Sequence, residues 1–353
     1  MIKTGTYRLS LTPEQSGLLK CYQAEAACCW NEIVATANCY WQASRRWIGK
    51  GELQKWVKNS FRLHSQTIQA LTDKYCANRD TIAVLRRKGD KKARYPYRTK
   101  RFLTIPFKQM AIRYTKVGTV RLTLSKGVCF DTGFKPDLPI RTCEIIWRGN
   151  GYDLNYTYAV KVPEIGQTDG LKAGIDIGEI HPVALCDENG SGLIVSGREI
   201  RAIKQWRNKS LGKLAKLISR CKKGSRRRRK YIMAKVRLKA KTNNQLRDLF
   251  HQATRKAINH CTVNNIVELV VGDPKGVEQR TQQEKRLGRR SRQKVSQMEY
   301  GRVKSYLAYK AEEAGIAFQL VEESYTSKQC PVCGKLNPCT GRNYQCSCGF
   351  IGH

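Results

Sequence analysis

The sequence predicts a multidomain chain of α/β and all-β parts: a β module carrying a helical insertion, then an α/β sheet domain, then a cysteine-rich ribbon. Three observations lead there. Helical periodicity fills residues 12–91, between one alternating segment before it and several after it. From residue 171 to 321, apolar strand-like runs alternate with long helical ones. Near the end, Cys330 and Cys333 form one close pair, and Cys346 and Cys348 form another.

Taken in order, residues 2–11 alternate like a strand. Thr12 then reads as an N-cap, with Pro13 at the first helical position. Leu18, Leu19, Tyr22 and Ala26 recur at helical spacing, and the period returns from Gln54 to about Tyr75. After Arg94-Tyr95-Pro96-Tyr97 the pattern changes to short strands at 103–105, 111–114, 119–124, 140–147 and 152–162. Turns rich in Gly and Pro separate them, which predicts a β-barrel or sandwich. One strand precedes the helices and the rest follow, so residues 12–91 read as an insertion in a module made of 1–11 and 92–168.

The second half, 169–325, opens with the apolar run Ala173-Gly174-Ile175-Asp176-Ile177-Gly178. A second strand at 181–185 follows, then an Asp187-Glu188-Asn189-Gly190 hairpin turn and a third strand at 192–196. Residues 201–241 hold 18 Lys or Arg and no Asp or Glu. Leu211, Leu214, Leu217 and Ile218 keep helical spacing there, and the helix reads on through Leu246, Leu249, Phe250, Ala253 and Ile258. A buried strand at 265–273, a basic Gln-rich stretch at 275–294, a helix at 297–314 and a strand at 316–321 complete the set. Three antiparallel strands followed by helix, strand, helix and strand is the ribonuclease H-like order. Residues 326–353 form the ribbon.

The formal charge is +38, from 66 basic and 28 acidic residues. Self-repulsion on that scale calls for a polyanionic partner, and nucleic acid is the ordinary one. A helix that buries one stripe of an acid-free basic run offers the remainder to phosphate. No N-terminal apolar segment and no run long enough to span a bilayer is present, so the expected location is cytoplasmic, with no membrane partner. Fifteen cysteines, an odd number that includes the adjacent Cys28 and Cys29, fit a reducing compartment.

That usage favours Zn2+ over disulfides at the ribbon. Cys330, Cys333, Cys346 and Cys348 supply four thiolates on two tight turns, the second pair being Cys-x-Cys and Cys339 a spare thiol between them. Asp176 is the other residue of interest. Between Ile175 and Ile177, a buried carboxylate is costly unless a cation or donors compensate it. All-oxygen ligation of that kind suits Mg2+. The competing reading is a strand-end Asp capping a turn.

Gly174-Ile175-Asp176-Ile177-Gly178, the segment 214–247 with Cys221-Lys222-Lys223-Gly224-Ser225 and the following Arg run, Asn244-Gln245-Leu246-Arg247-Asp248, Phe250-His251, and Tyr325-Thr326-Ser327-Lys328-Gln329-Cys330-Pro331-Val332-Cys333-Gly334 together resemble TnpB. These are transposon-encoded RNA-guided DNA endonucleases, kin of the compact type V CRISPR effectors. The resemblance implies that 1–11 and 92–168 form a wedge β-barrel, 12–91 a recognition insertion and 169–325 a RuvC nuclease domain with a zinc ribbon. It also implies a guide RNA, a target DNA paired with it in a basic channel, and a Mg2+ site that cuts DNA. The residues expected to meet nucleic acid are Lys222, Lys223, Arg226, Arg227, Arg228, Arg229, Lys230, Arg247 and Lys328.

Two departures from the family pattern stand out. The second acid commonly follows an apolar strand as Glu-Asp, whereas here the strand ends Val271-Gly272-Asp273. A branch of the family moves that acid to the strand before Thr-Ser-Lys, and Glu323, three residues before Thr326, fits this placement. Glu322 would point to the opposite face, Asp273 is the alternative, and Glu268 lies mid-strand. In the family, the run Cys-Gly-x-x-Gly-His is followed by Arg-Asp, which gives the third metal ligand, and by a final helix; the sequence stops at His353. The expectation is a chain that cuts DNA poorly, the alternative being a nuclease-dead RNA-guided binder or repressor. A transposase that performs strand transfer itself is disfavoured, because no recombinase Tyr or Ser stands in a recognisable context.

Overall fold

The computed structural model describes residues 1–163, 169–274, 288–322, 328–330, 332–337 and 344–352. The chain forms two compact units, Met1–Lys161 and Val162–His353. Among the described residues, no helix is long and apolar enough to cross a membrane.

In the first unit, β1 (Ile2–Arg8) leads into α1 (Pro13–Ser44). A reciprocal capping box starts the helix: Gln15 N–H donates to Thr12 Oγ1 at 3.2 Å and Thr12 N–H donates to Gln15 Oε1 at 3.0 Å. α2 (Lys50–Trp56) and α3 (Ser65–Arg87) join α1 around a helical core that includes Trp30, Ile33, Leu53, Leu71 and Tyr75. The strands that follow are β2 (Ile105–Phe107), β3 (Ile112–Tyr114), β4 (Val120–Ser125), β5 (Val128–Asp131), β6 (Ile140–Trp147) and β7 (Tyr152–Ala159). They form two sheets, β1-β7-β6-β2 and β3-β4-β5, over one shared core. β1 runs antiparallel to β7, from Ile2↔Ala159 to Arg8↔Asp153, so the helices do interrupt a β module. Gly5 lies opposite Tyr156, whose ring leaves no room for a Cβ there (2.3 Å).

Sequence reasoning passed over β5. It is four residues long and enters from a Lys126-Gly127 turn with Gly127 at φ +76°.

The second unit is built on one five-stranded sheet, ordered β10 (Gly192–Val195), β9 (Val183–Asp187), β8 (Leu171–Asp176), β11 (Ile266–Asp273) and β12 (Ala317–Glu322). β9 and β10 run antiparallel to their neighbours, while β11 is parallel to both β8 and β12. The β9–β10 turn is fixed by Asp187, whose Oδ1 accepts the N–H groups of Asn189 and Ser191. Ala173, Ile175, Leu269 and Val271 occupy one face of the sheet. There they meet Leu246, Phe250, Ala257 and Ile258 of α5 (Arg226–Val263) and Val303, Leu307 and Ala311 of α7 (Tyr300–Glu313). Buried Lys310 fastens α7 to α5, donating to His251 O (2.7 Å) and Thr254 Oγ1 (2.6 Å); burial pushes its pKa down to about 8. A short helix, α6 (Arg289–Ser296), precedes α7.

The single basic helix read from the sequence is two helices, α4 (Arg198–Ser219) and α5. Gly224 turns the chain at φ +82°, and Ser225 caps α5 by accepting the Arg228 N–H at 3.2 Å. Replacing Ser225 by Ala is expected to lower stability by about 1 kcal/mol, while Asp at this position preserves it. Urea unfolding of the three proteins measures the difference.

Candidate functional site

The four ribbon cysteines come together on two similar turns. In the first, Gly334 N–H donates to Cys330 O at 2.9 Å; in the second, Gly349 N–H donates to Cys346 O at 3.0 Å. Both glycines have positive φ, +71° and +92°. The second loop closes one residue earlier, which is why Cys-x-Cys serves there as Cys-x-x-Cys does in the first. Cys330 Sγ lies 3.6 Å from Cys348 Sγ, Cys333 Sγ lies 3.5 Å from Cys346 Sγ, and all four sulfurs fall within 4.8 Å of one another. Four thiolates bound tetrahedrally to zinc at about 2.3 Å stand about 3.8 Å apart, so this set fits the ion.

The surroundings favour thiolate at Cys330 and Cys346, while Cys348, beside the Cys346 sulfur, is pushed up to about 12. Burial raises the Cys330 pKa, but N–H groups of Cys333 and Val332 donate to its sulfur and leave it lowered. Cys346 falls to about 6, chiefly through the Cys348 N–H, and Asn337 Nδ2 also donates to it at 3.1 Å. Tyr344 and Phe350 shield the buried pair, Cys330 and Cys346. Cys339 lies outside the described residues.

Asp176 ends β8, the central strand, and is exposed rather than buried. Strand alternation turns Ile175 into the core and Asp176 toward the opposite face. The expectation of a buried carboxylate therefore fails. The position opposite Asp176 in β9 is Ala184; the β8–β11 register, carried one residue past Val271↔Ile175, puts Gly272 beside it on the other side. Among the described residues Asp176 has no hydrogen-bond or ion-pair partner.

The other candidate acids lie elsewhere. Asp273 is buried, bonded to Lys304 of α7, and of the parity that faces the core. Glu322 pairs with Asp273 in register and shares its face. Glu268 is on the face of Asp176 but further down the sheet, in an ion pair with Lys172 at 2.8 Å. Glu323 lies outside the described residues, as do Thr326 and Ser327. Among the described strand residues, no second carboxylate shares the face and end of Asp176, so those residues alone do not make a two-ion Mg2+ site.

The basic residues concentrate on the α4–α5 hairpin, where no residue from 205 to 241 is buried. Lys222 and Lys223 project from its turn, and Arg226, Arg229 and Lys230 from the first turns of α5, all exposed. Arg227 lies against Tyr231, with Nε donating to the phenol at 3.3 Å. Arg228 instead donates to Ile218 O at 2.8 Å and so closes the end of α4. Arg247 is half-buried further along α5, and Lys328 is exposed beside the ribbon, its carbonyl accepting the Asn337 N–H at 2.8 Å. Sequence reasoning missed Lys204, which is buried on the inner side of α4. It donates to Gln297 O at 2.8 Å, and burial pushes its pKa down to about 8. A lone Lys within a basic run gives no sign that it is buried.

Residues 155–278 match the probable-transposase family, and residues 300–353 match the Cas12f1-like TNB domain. No curated protein matches the chain. Among solved structures, a Cas12f1–sgRNA–target DNA complex is similar with a TM-score of 0.63 at 14% identity, over 93% of this chain and 77% of that one. The mini-RNA-guided endonuclease CRISPR-Cas phi3 matches 100% of this chain and 90% of that one, with a TM-score of 0.49 and 11% identity. The Cas12f1 likeness shows a Cas12f-like fold.

One metal ion per chain is expected at the four sulfurs, measured by elemental analysis of purified protein. The double variant Cys330→Ser, Cys333→Ser should carry none. Retention of metal by that variant, or its loss on changing Cys339 but not Cys348, would contradict the assignment.

Proposed function

We propose that this TnpB-like chain is an RNA-guided DNA-binding protein of a transposon, with a RuvC nuclease fold in its second unit. The observation that carries the reading is Asp176: an exposed carboxylate at the carboxyl end of the central strand, without a partner among the described residues, in a chain with a large excess of cations. The strand order, three antiparallel strands and then two parallel to the first, supports a ribonuclease H-like assignment for 169–325. The two sheets over one core support the wedge assignment for 1–11 and 92–168, with 12–91 as the recognition insertion. Zn2+ at the four cysteines is structural, holding together a ribbon whose described residues form only a small apolar core.

In this reading the guide RNA and target DNA are the partners, the α4–α5 hairpin supplies cations to phosphate, and the protein works in the cytoplasm on nucleoid DNA. Hydrolysis through Mg2+ needs a second acid beside Asp176, and Glu323 is the one proposed. A second reading, guided binding without cleavage, is favoured by the isolation of Asp176 from other carboxylates among the described residues.

The chain should purify with a structured RNA and bind DNA complementary to part of it. Changing Arg226, Arg227, Arg229 and Lys230 to Gln should weaken RNA binding and reduce the salt slope by about 0.7–0.9 for each phosphate no longer neutralised. Asp176→Ala should leave DNA binding unchanged and remove any Mg2+-dependent cleavage. Cleavage that persists in Asp176→Ala sinks the nuclease assignment, and an unchanged salt slope removes the hairpin from the nucleic-acid path. Absence of any cleavage by the parent protein, with guided binding intact, selects the second reading.

A further inference from the structure

The first unit carries a second cationic surface, away from the basic hairpin in sequence. Residues 90–104 form neither helix nor strand, yet their path is fixed. Asn31 of α1 grips the backbone of Lys100 with both halves of its amide, Nδ2 donating to Lys100 O (2.9 Å) and Oδ1 accepting Lys100 N–H (2.8 Å). Three residues on, Leu103 N–H donates to Gln23 O at 3.0 Å, also on α1. At the near end, the Tyr95 ring rests on Trp47, with centroids 4.8 Å apart.

On this anchored segment two aromatic rings face solvent, Tyr97 at 54% exposure and Phe102 at 42%. Each has an arginine over it: Arg98 5.6 Å from the Tyr97 centroid and Arg101 5.5 Å from that of Phe102. Residues 86–101 hold nine Lys or Arg and one Asp. Exposed rings interleaved with cations on a pre-ordered backbone meet the two requirements of unpaired nucleotides, a π-face for each base and a positive charge for each phosphate. A duplex hides its base faces and uses only the charges.

We propose that residues 94–102 form a platform for single-stranded nucleic acid, with bases stacking on Tyr97 and Phe102 and phosphates meeting Arg98, Lys100 and Arg101. This rests on the reading of nucleic acid as the partner. It adds that the strand taken here is unpaired. Because the rings are exposed and the path is held by Asn31 and Gln23, removing the rings leaves the fold intact.

The full-length chain, freed of co-purifying RNA, is tested with labelled uridine and thymidine oligonucleotides of about 12 nucleotides and with a duplex of the same length. The double variant Tyr97→Ala, Phe102→Ala should bind both single strands at least about tenfold more weakly. Its salt slope, duplex affinity and thermal unfolding should match the parent. Tyr97→Phe with Phe102→Tyr should bind as the parent does, whereas Arg98→Gln with Arg101→Gln should lower the salt slope. Parent-like single-strand affinity in the Ala variant, an equal loss for duplex, or a loss in the ring-exchange variant would overturn the platform. Stronger binding of uridine or of thymidine tells which strand it takes, RNA or DNA. Ring-dependent binding in a chain that purifies without RNA keeps the platform while refuting the guided reading.

Discussion

The excess of cations, 66 against 28 acids, decides how the carboxylates of this chain are used. Several serve as internal pins. Asp153 takes Arg8 at 2.8 Å and Arg148 at 3.2 Å, tying β1 to the β6–β7 turn. Asp73 of α3 takes Lys50 of α2 and Lys108 just after β2; burial raises its pKa, and hydrogen bonds from the two ammonium groups more than offset that. This bond network therefore stabilises the unit above the ordinary carboxylate range and weakens as pH falls through the lowered value. Asp176 is not among these pins: within the described residues it has no hydrogen-bond or ion-pair partner. The residues flanking it across the sheet, Ala184 and Gly272, can neither donate to it nor neutralise it, so the open carboxylate follows from its neighbours' side chains.

The same imbalance shapes the α4–α5 hairpin. Beyond Lys204 and before Thr242 it contributes nothing buried to the core, so its geometry rests on packing between its two helices and on local caps. Arg228 illustrates the cost of counting charges without geometry. It stands third in a run of four arginines, yet its guanidinium is committed to the end of α4. Its neighbours Arg226 and Arg229 remain exposed and are the ones available to phosphate.

Much of this was legible in the sequence. The Thr12 cap, the insertion of helices after the first strand, the strand–helix alternation of the second unit and the four-cysteine set all follow from local pattern. What failed was geometry that pattern does not carry. The α4–α5 break falls inside a uniformly basic run, where one Gly and one Ser change the chain direction without disturbing the hydrophobic period. Asp176 looked buried because isoleucines flank it, but period-two alternation sends both flanking residues to one face and the acid to the other. The exposure of Tyr97 and Phe102 depends on an amide clamp from Asn31, far away in sequence, which no local reading finds.

Strand parity also sorts the acids. In the β11–β12 register Asp273 faces the same way as Glu322, and Gly272 faces the same way as Val321. The β8–β11 pairing puts Asp176 with the second set. Asp273 thus has the parity of the sheet face opposite to that of Asp176. Its bond to Lys304 gives it a different task, anchoring α7 at the carboxyl end of β11. An acid that shares the face of Asp176 must come from a position of opposite parity to Glu322 along that strand.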